Sequence, residues 1–127
     1  MESKRPTYGN GKICYLVIPA DDIEISSGFY NKAFGWKLRT GGDGHVGFDD
    51  GVGEVSGMWV KGKKPMTEEG IVITIMVDST EVTSKLITDH GGKILSSMKT
   101  DAGEKIVHFT DPAGNIMGLY QSKKIKS

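Results

Sequence analysis

Two runs of apolar residues mark the beginnings of two similar halves of the chain. The runs are ICYLVIP at residues 13–19 and IVITIMV at residues 71–77, and both are rich in residues that favour β-strands. In a strand successive side chains point to opposite faces, so one face of the first run carries Tyr15 and Val17 and the other carries Leu16 and Ile18. Thr74 shares its face with Val72 and Met76. Near-continuous apolar character predicts strands that are covered on both faces.

A helical pattern follows each apolar run. After the first run, Asp21 or Asp22 is suited to an N-cap, and apolar residues recur at a spacing of four, namely Ile25, Phe29 and Ala33, before Gly35. After the second run, Ser79 or Thr80 is suited to the cap, Val82 and Leu86 are the apolar positions, and Gly91-Gly92 end the pattern. Each half is therefore predicted to place one helix after its first strand.

The last part of each half is a repeated segment. HVGFDDGVGEVSGMWV at residues 45–60 and IVHFTDPAGNIMGLYQ at residues 106–121 match without a gap, which aligns Gly57 with Gly118 and Trp59 with Tyr120. Each segment predicts two strands joined by a turn, and a short strand precedes it at residues 36–39 or 93–95. The chain is predicted to be one α+β domain over residues 1–127, with two tandem βαβββ modules at about 12–60 and 71–121 and a linker at 61–70.

Composition narrows the classes of partner. Sixteen basic residues balance sixteen acidic ones, and the only basic run is KKIK at 123–126, so neither nucleic acid nor a membrane surface is expected as a partner. No apolar run is long enough to cross a bilayer, and residues 1–11 are expected to form a loose polar arm without the apolar stretch of a signal peptide. With the single Cys14 expected to pack inertly in a strand, the composition favours a cytoplasmic protein.

Two short motifs have simpler explanations. Residues 42–47 fit the pattern GxGxxG, but a strand is predicted to follow, where a dinucleotide site needs a helix. Asp49-Asp50 resembles an acid pair, although its position favours a solvated turn, and His90 is expected at a helix C-terminus in a structural role. No Ser-His-Asp or Cys-His triad is indicated.

The second hairpin predicts a candidate cavity. With residues 111–115 as the turn, His108 lies opposite Gly118 and shares a face with Tyr120. The ungapped repeat places His45 and Trp59 on the corresponding face of the first module. Two histidines and two aromatic rings separated by glycines are suited to a ligand cavity, and the alternative is that the rings fill a core or a subunit interface.

The chain resembles the vicinal oxygen chelate superfamily, the glyoxalase, bleomycin-resistance and extradiol dioxygenase group. The residues that carry the resemblance are ICYLVIPADD and GFYNKAFGW in the first module, and VDSTEVTSKLITDHGGKIL and FTDPAGNIMGLYQ in the second, so it covers residues 12–121. The resemblance implies curled mixed sheets that form a cup over a ligand, and a homodimer.

In metal enzymes of this superfamily, a His or Gln on the first strand of a module and a Glu on its last strand bind the ion. These positions fall on Tyr15 and Gly57 in the first module and on Val72 and Gly118 in the second. Gly and Val have no side-chain donor and neutral Tyr is a rare ligand, so the usual metal set is expected to be absent and no cofactor is predicted.

The first functional hypothesis is therefore a dimeric protein that binds a small organic molecule in the cup without metal chemistry. Its ligand-binding candidates are Tyr15, Val17, His45, Trp59, Thr74, His108 and Tyr120. The alternative is a divergent lyase, isomerase or dioxygenase that uses His108 or His45 as a base or in an unusual divalent-metal site. The sequence names no ligand or substrate, and it leaves open both catalysis and whether the modules pair within a chain or across a dimer.

Overall fold

The sequence folds into two four-stranded sheets and two helices. The computed structural model describes residues 5–41, 45–68 and 70–122. In these residues the elements are β1 (Tyr15–Pro19), α1 (Ile23–Phe34), β2 (Lys37–Thr40), β3 (Val46–Asp49), β4 (Ser56–Val60), β5 (Ile73–Met76), α2 (Thr80–Asp89), β6 (Lys93–Lys99), β7 (Lys105–Thr110) and β8 (Ile116–Gln121). The sheet orders are β1-β4-β3-β2 and β5-β8-β7-β6. β1 pairs with β4, and β5 with β8, in parallel. The other neighbouring strands are antiparallel.

This arrangement confirms the predicted α+β fold with two βαβββ units, whose sheets are curled but not closed. Some of the predicted strand boundaries differ in detail. β1 begins at Tyr15, so Cys14 lies outside the strand and is exposed, which makes the prediction of a packed cysteine wrong. β6 extends to Lys99, beyond the predicted end at residue 95, and has a β-bulge between Ile94 and Ser96. The basic run at 123–126 and residues 42–44 of the GxGxxG pattern lie outside the described residues.

Both helices begin with a side-chain cap, as their sequences predict. The carboxylate of Asp22 accepts a hydrogen bond from the backbone N–H of Ile25 at 3.1 Å, and the hydroxyl of Ser79 accepts one from Val82 at 3.2 Å. The prediction that Val82 faces inward is wrong, because Val82 is more than half exposed, and Ile25 at the matching position of α1 is exposed as well. Each lies at the third helical position, and the buried stripe runs along the neighbouring face of its helix, through Ser26, Phe29, Tyr30 and Ala33 in α1 and Thr83 and Ile87 in α2.

One hydrophobic core connects the two units through the helices. The ring of Phe29 in α1 lies 6.2 Å from that of Phe109 in β7, centroid to centroid, so the first helix also packs on the second sheet. The core-facing residues of the first strands are Leu16, Ile18, Ile73 and Ile75. Their neighbours Tyr15 and Val17 point away and are about half exposed, at 53% and 47%. The expected cover on both faces of β1 is therefore wrong for the single chain.

A buried polar network fixes the second turn against the first unit. Asp111 accepts hydrogen bonds from the hydroxyl of Tyr30 at 2.8 Å and from the side-chain amide of Asn115 at 2.9 Å. The same amide donates to the backbone carbonyl of Pro19 at 2.8 Å, and Asn115 Oδ1 accepts from the backbone N–H of Met66. The second turn thus holds α1, the end of β1 and the connection between the units in one place.

The N-terminal arm is attached to the first hairpin rather than loose. Glu54 accepts hydrogen bonds from Arg5, from the backbone and side chain of Thr7, and forms an ion pair with Lys12. The backbone N–H of Thr7, followed by the basic partners, holds the pKa of Glu54 at about 2 despite partial desolvation. The prediction of a loose polar arm is therefore wrong for residues 5–11.

Candidate functional site

Each sheet has one face in the core and one face directed away from it, which we call its open face. On the open face of the second sheet, one row of neighbouring residues across the strands is Thr74, Gly118, His108 and Ser96. The next row is Met76, Tyr120, Ile106 and Met98. The pairing of His108 with Gly118, and the turn at 111–115, are those that the sequence predicts. This face therefore carries three of the predicted ligand-binding residues: Thr74, His108 and Tyr120.

Two side chains close over Gly118 at the centre of this face. A Cβ atom added to Gly118 would lie 2.9 Å from Thr74 Oγ1 and 3.4 Å from His108 Cδ2. These distances show that the hydroxyl of Thr74 and the imidazole of His108 occupy the space beside the glycine. The glycine thus allows a threonine and a histidine to approach each other across β8, and a larger residue at 118 would push the two apart.

An acidic residue that the sequence analysis missed completes the polar part of the face. The phenol of Tyr120 donates a hydrogen bond to Glu104 Oε2. This hydrogen bond, with burial and the nearby negative charge, raises the pKa of Tyr120, so the phenol stays neutral at physiological pH. Glu104 immediately precedes β7 and lies two and four positions before Ile106 and His108. The period of two in this strand would have placed Glu104 on the same face.

The open face of the first sheet carries a different polar group. Arg39 forms an ion pair with Asp49, and the hydroxyl of Ser56 donates to Asp49 Oδ1 at 2.7 Å. The hydrogen bond from Arg39 is the largest of the effects that lower the pKa of Asp49. Tyr15 and Val17, both predicted ligand-binding residues, lie on this face. Asp49 is a strand residue rather than part of a solvated turn, so the sequence interpretation of its position is wrong.

Trp59 does not lie on an open face. It is fully buried, and its ring lies 4.9 Å from that of Phe48 and 5.7 Å from that of Tyr30. Its indole N–H has no hydrogen-bond partner among the described residues, which agrees with a fully apolar environment. The prediction that Trp59 and Tyr120 face the same cup is therefore wrong.

The cause of this error is a difference of one residue between the two turns. Strand pairing ends at Asp49 and resumes at Ser56 in the first hairpin, and ends at Thr110 and resumes at Ile116 in the second. The first connection is thus one residue longer, and a shift of one residue moves every following side chain to the other face of the sheet. The structural counterpart of Gly118 is Met58, because Val17 lies beside Met58 as Thr74 lies beside Gly118.

Gly57 consequently has a structural role in the core. A Cβ atom at Gly57 would lie 2.3 Å from the carbonyl oxygen of Leu16 and 2.4 Å from the ring of Phe48. The glycine makes room for the Phe48 ring between β3 and β4. The counterpart of Gly118 in the first unit is therefore Met58 rather than Gly57, and the side chain of Met58 has no nitrogen or oxygen donor.

The structure divides the predicted site residues between the two sheets. His45 precedes β3, where its carbonyl oxygen accepts a hydrogen bond from Gly41 at 2.9 Å, and His108 lies in β7 of the other sheet. A separate cavity of about 1250 Å³ lies between the units, and Thr74 is the one predicted ligand-binding residue in its lining.

Known proteins place this fold in a family. A model of the glyoxalase/bleomycin resistance protein/dioxygenase superfamily matches residues 12–119. The chain belongs to this superfamily. No curated protein sequence matches the chain. Its structure is similar to that of a genomically encoded fosfomycin resistance protein, FosX, from Listeria monocytogenes, with a TM-score of 0.74 and 11% identity over 90% of this chain and 93% of that one.

Two further solved structures share the fold. A glyoxylase/bleomycin resistance protein/dioxygenase domain from Frankia sp. has a TM-score of 0.69 and 17% identity, covering 91% of this chain and 100% of that one. A lactoylglutathione lyase from Agrobacterium tumefaciens has a TM-score of 0.64 and 18% identity, covering 91% and 96%. At these identities the likeness concerns the fold alone.

The residues at the positions where the resemblance implies metal ligands do not have the donors that such an ion prefers. Tyr15, Met58, Val72 and Gly118 provide no carboxylate and no imidazole. Over residues 5–41, 45–68 and 70–122, no group of three His, Cys, Asp or Glu side chains is arranged to hold an ion. Neither helix in the same part of the chain has the length and apolar character needed to cross a membrane.

Proposed function

We propose that this member of the superfamily binds a small organic molecule on the open face of its second sheet without the family's usual metal ion. The observation that carries the proposal is the packing of Thr74 and His108 over Gly118. The space beside the last strand, where the resemblance implies a metal-binding carboxylate, is used here to bring a hydroxyl and an imidazole together. Both groups form hydrogen bonds with organic ligands and need no ion to do so.

The rest of the face defines the chemistry of such a ligand. Tyr120 and Glu104 form a hydrogen-bonded pair beside His108, and the apolar surface around them comes from Met76, Met98 and Ile106. Methionine side chains adapt to ligands of different shapes and make favourable contacts with aromatic rings. We therefore expect a flat or partly aromatic molecule with hydrogen-bonding groups on one edge.

A second copy of the chain is expected to complete the binding site. Met76 and Met98 are exposed by 65% and 59%, and Tyr15 is exposed by 53% on the other sheet. Exposed apolar surface on both sheets favours burial against a symmetric partner. A homodimer that covers these faces would turn an open sheet into an enclosed cup.

Binding of a screened compound tests the proposal. One structural neighbour is a fosfomycin resistance protein, so the library should contain antibiotics as well as aromatic acids and amines. A hit should raise the melting temperature and bind stoichiometrically in calorimetry. Tyr120→Phe and His108→Ala should each weaken its affinity about fivefold to tenfold, because each removes one hydrogen bond inside a partly desolvated site.

Matched controls separate the site from general stability. Tyr8→Phe and His90→Ala change the same residue types at exposed positions and should leave affinity unchanged. If affinity for every hit ignores both His108 and Tyr120, the open face of the second sheet is not the binding site and the proposal fails.

An enzyme is the second candidate function. The position of His108 makes it a better candidate than His45 for the catalytic base. His108 lies beside a hydroxyl and in the row next to the Tyr120–Glu104 pair, whereas His45 lies on the loop before β3 of the first sheet. A general base needs such neighbouring groups to orient a substrate. Chromatography coupled to mass spectrometry, applied to a hit after prolonged incubation, distinguishes the two functions because it also separates isomers of equal mass. A new product that requires His108 would establish catalysis, and an unchanged compound would support binding alone.

A further inference from the structure

The cavity between the two units shares Thr74 and Met76 in β5 with the open face described above, but it does not include His108 or Tyr120. It has a volume of about 1250 Å³, follows the edge strand β5 and reaches Leu16 in the edge strand β1. Its walls include core-facing residues of both sheets and the end of α1, among them Leu16, Phe34, Trp36, Phe48, Ile73 and Ile75. A cavity of this size, walled by aliphatic and aromatic side chains, is suited to an elongated apolar molecule.

The charges along the cavity all have one sign. Asp50 and Asp78 line it, and none of the lining residues in the described part of the chain is basic. Asp50 is already used, since its Oδ1 accepts hydrogen bonds from the backbone N–H groups of Glu54 and Val55. Asp78 has no hydrogen-bond or ion-pair partner among the described residues. One carboxylate at the rim is therefore available to a ligand.

We infer that this cavity binds an amphiphilic cation, with an alkyl or aromatic body between the units and a positively charged group at Asp78. The body would be desolvated by the cavity walls, and the cation would be attracted by the carboxylates without meeting a basic side chain. The rings of Phe34, Trp36 and Phe48 add favourable surfaces for an organic cation. This inference does not depend on ligand binding at His108.

Alkyl probes with different head groups test the sign of the charge. Decyltrimethylammonium, decanol and decanoate have the same chain and differ in charge, and each is used below its micelle concentration. Trp36 lines the cavity and stacks on Phe48 with ring centroids 4.4 Å apart, so binding should change its fluorescence. We expect saturable binding in the order cation, alcohol, carboxylate. Equal or tighter binding of decanoate would overturn the assignment of a cationic ligand.

The internal repeat provides matched variants. Asp78 and Val82 lie before and after the cap Ser79 as Asp21 and Ile25 lie before and after the cap Asp22, but only the first pair lines the cavity. Asp78→Asn should weaken binding of the cation about threefold to fivefold and leave decanol unchanged, since it removes one partly exposed charge. Asp21→Asn should have no effect. An equal loss in both variants would contradict a role for Asp78.

A positive charge on the cavity wall tests the location. Val82→Lys should weaken binding of the cation and reduce its preference over decanoate, because the added positive charge repels the ammonium group and attracts the carboxylate. Ile25→Lys should change neither, and both positions are exposed enough to tolerate lysine. Light scattering on the same variants examines whether a second copy fills the cavity instead. If Val82→Lys dissociates an oligomer while probe binding is unchanged, the cavity is a subunit interface and the inference is wrong.

Discussion

Removal of one hydroxyl, in Tyr30→Phe, examines how the two units are held together. Tyr30 is fully buried in α1, and its hydroxyl donates a 2.8 Å hydrogen bond to Asp111 in the second turn, 81 residues away. Asp111 is itself only 2% exposed. The substitution keeps the ring, so it creates almost no cavity and leaves a buried carboxyl group with one donor fewer.

The expected loss can be worked from that contact. A hydrogen bond to a charged group contributes about 1.5–3 kcal/mol, and little water can replace the hydroxyl at a buried position. We expect the free energy of unfolding to fall by this amount, which corresponds to a drop in melting temperature of roughly 5–12 °C for a chain of this length. Ala113 and Asn115 still donate hydrogen bonds to Asp111 in this variant, which limits the loss of stability because the carboxyl group keeps part of its partners.

Urea denaturation followed by circular dichroism, at one protein concentration, measures the change. Tyr8→Phe is the matched control, since Tyr8 is 89% exposed and should change stability by less than about 0.5 kcal/mol. A Tyr30→Phe variant as stable as the Tyr8→Phe variant would refute the claim that this hydrogen bond joins the units.

The same bond predicts a dependence on alkaline pH. Burial, followed by the charge and the hydrogen bond of Asp111, raises the pKa of Tyr30 well above its usual 10.0. The unfolded chain therefore loses this proton at a lower pH than the folded chain. The stability that Tyr30 contributes is complete below pH 10.0 and declines as the pH rises above it, and this part of the decline should be missing in Tyr30→Phe.

Three other predictions follow from the contacts described. The pKa of Glu54 is lowered from 4.5 to about 2, so its hydrogen bonds to the N-terminal arm should persist above pH 4.5 and weaken between pH 4.5 and about 2. Hydrogen exchange of the Thr7 amide should show this change in the native protein but not in Glu54→Gln. Gly57→Ala should lower the free energy of unfolding by about 3 kcal/mol or more, because the added Cβ would meet a backbone carbonyl and a buried ring. Gly118→Ala should lower it less, since the side chain of Thr74 can rotate, and thermal melts of both variants test this difference. Light scattering at micromolar concentration should give the mass of a homodimer, and a monomer mass would contradict the proposed cup.

The sequence was sufficient to predict the order of elements in each unit. Strands with alternating faces, capped helices and glycine-rich turns are local features, and the caps at Asp22 and Ser79 and the turn at 111–115 are in the predicted places. The pairing of His108 with Gly118 could also be predicted, because a turn of known length fixes the register of a hairpin.

The placement of Trp59 could not be predicted from the repeat alone. One additional residue in the first connection moves it from the open face to the core, and an ungapped alignment hides that residue. A second consideration would have exposed the error. In the first hairpin the large ring of Phe48 needs a residue without a side chain opposite it. Gly57 takes that position only if β4 is shifted by one residue relative to the ungapped alignment.

Long-range contacts account for the remaining differences. The attachment of the N-terminal arm to Glu54 joins residues more than 40 positions apart. The cavity beside Asp78 depends on how the units pack, and no local pattern specifies that packing. Glu104 is different, since the alternation along β7 was visible in the sequence and its partner Tyr120 was already a candidate.

Native mass spectrometry combined with elemental analysis tests the central claim most directly. The protein is purified without added metal, dialysed against Zn, Ni, Mn and Fe in turn, and measured with and without a compound that binds it. The account predicts well below one equivalent of each metal, together with a noncovalent complex whose formation is weakened in His108→Ala. A stoichiometric ion that is retained by the native protein and lost in His108→Ala would contradict the account and establish a metal site on the second sheet.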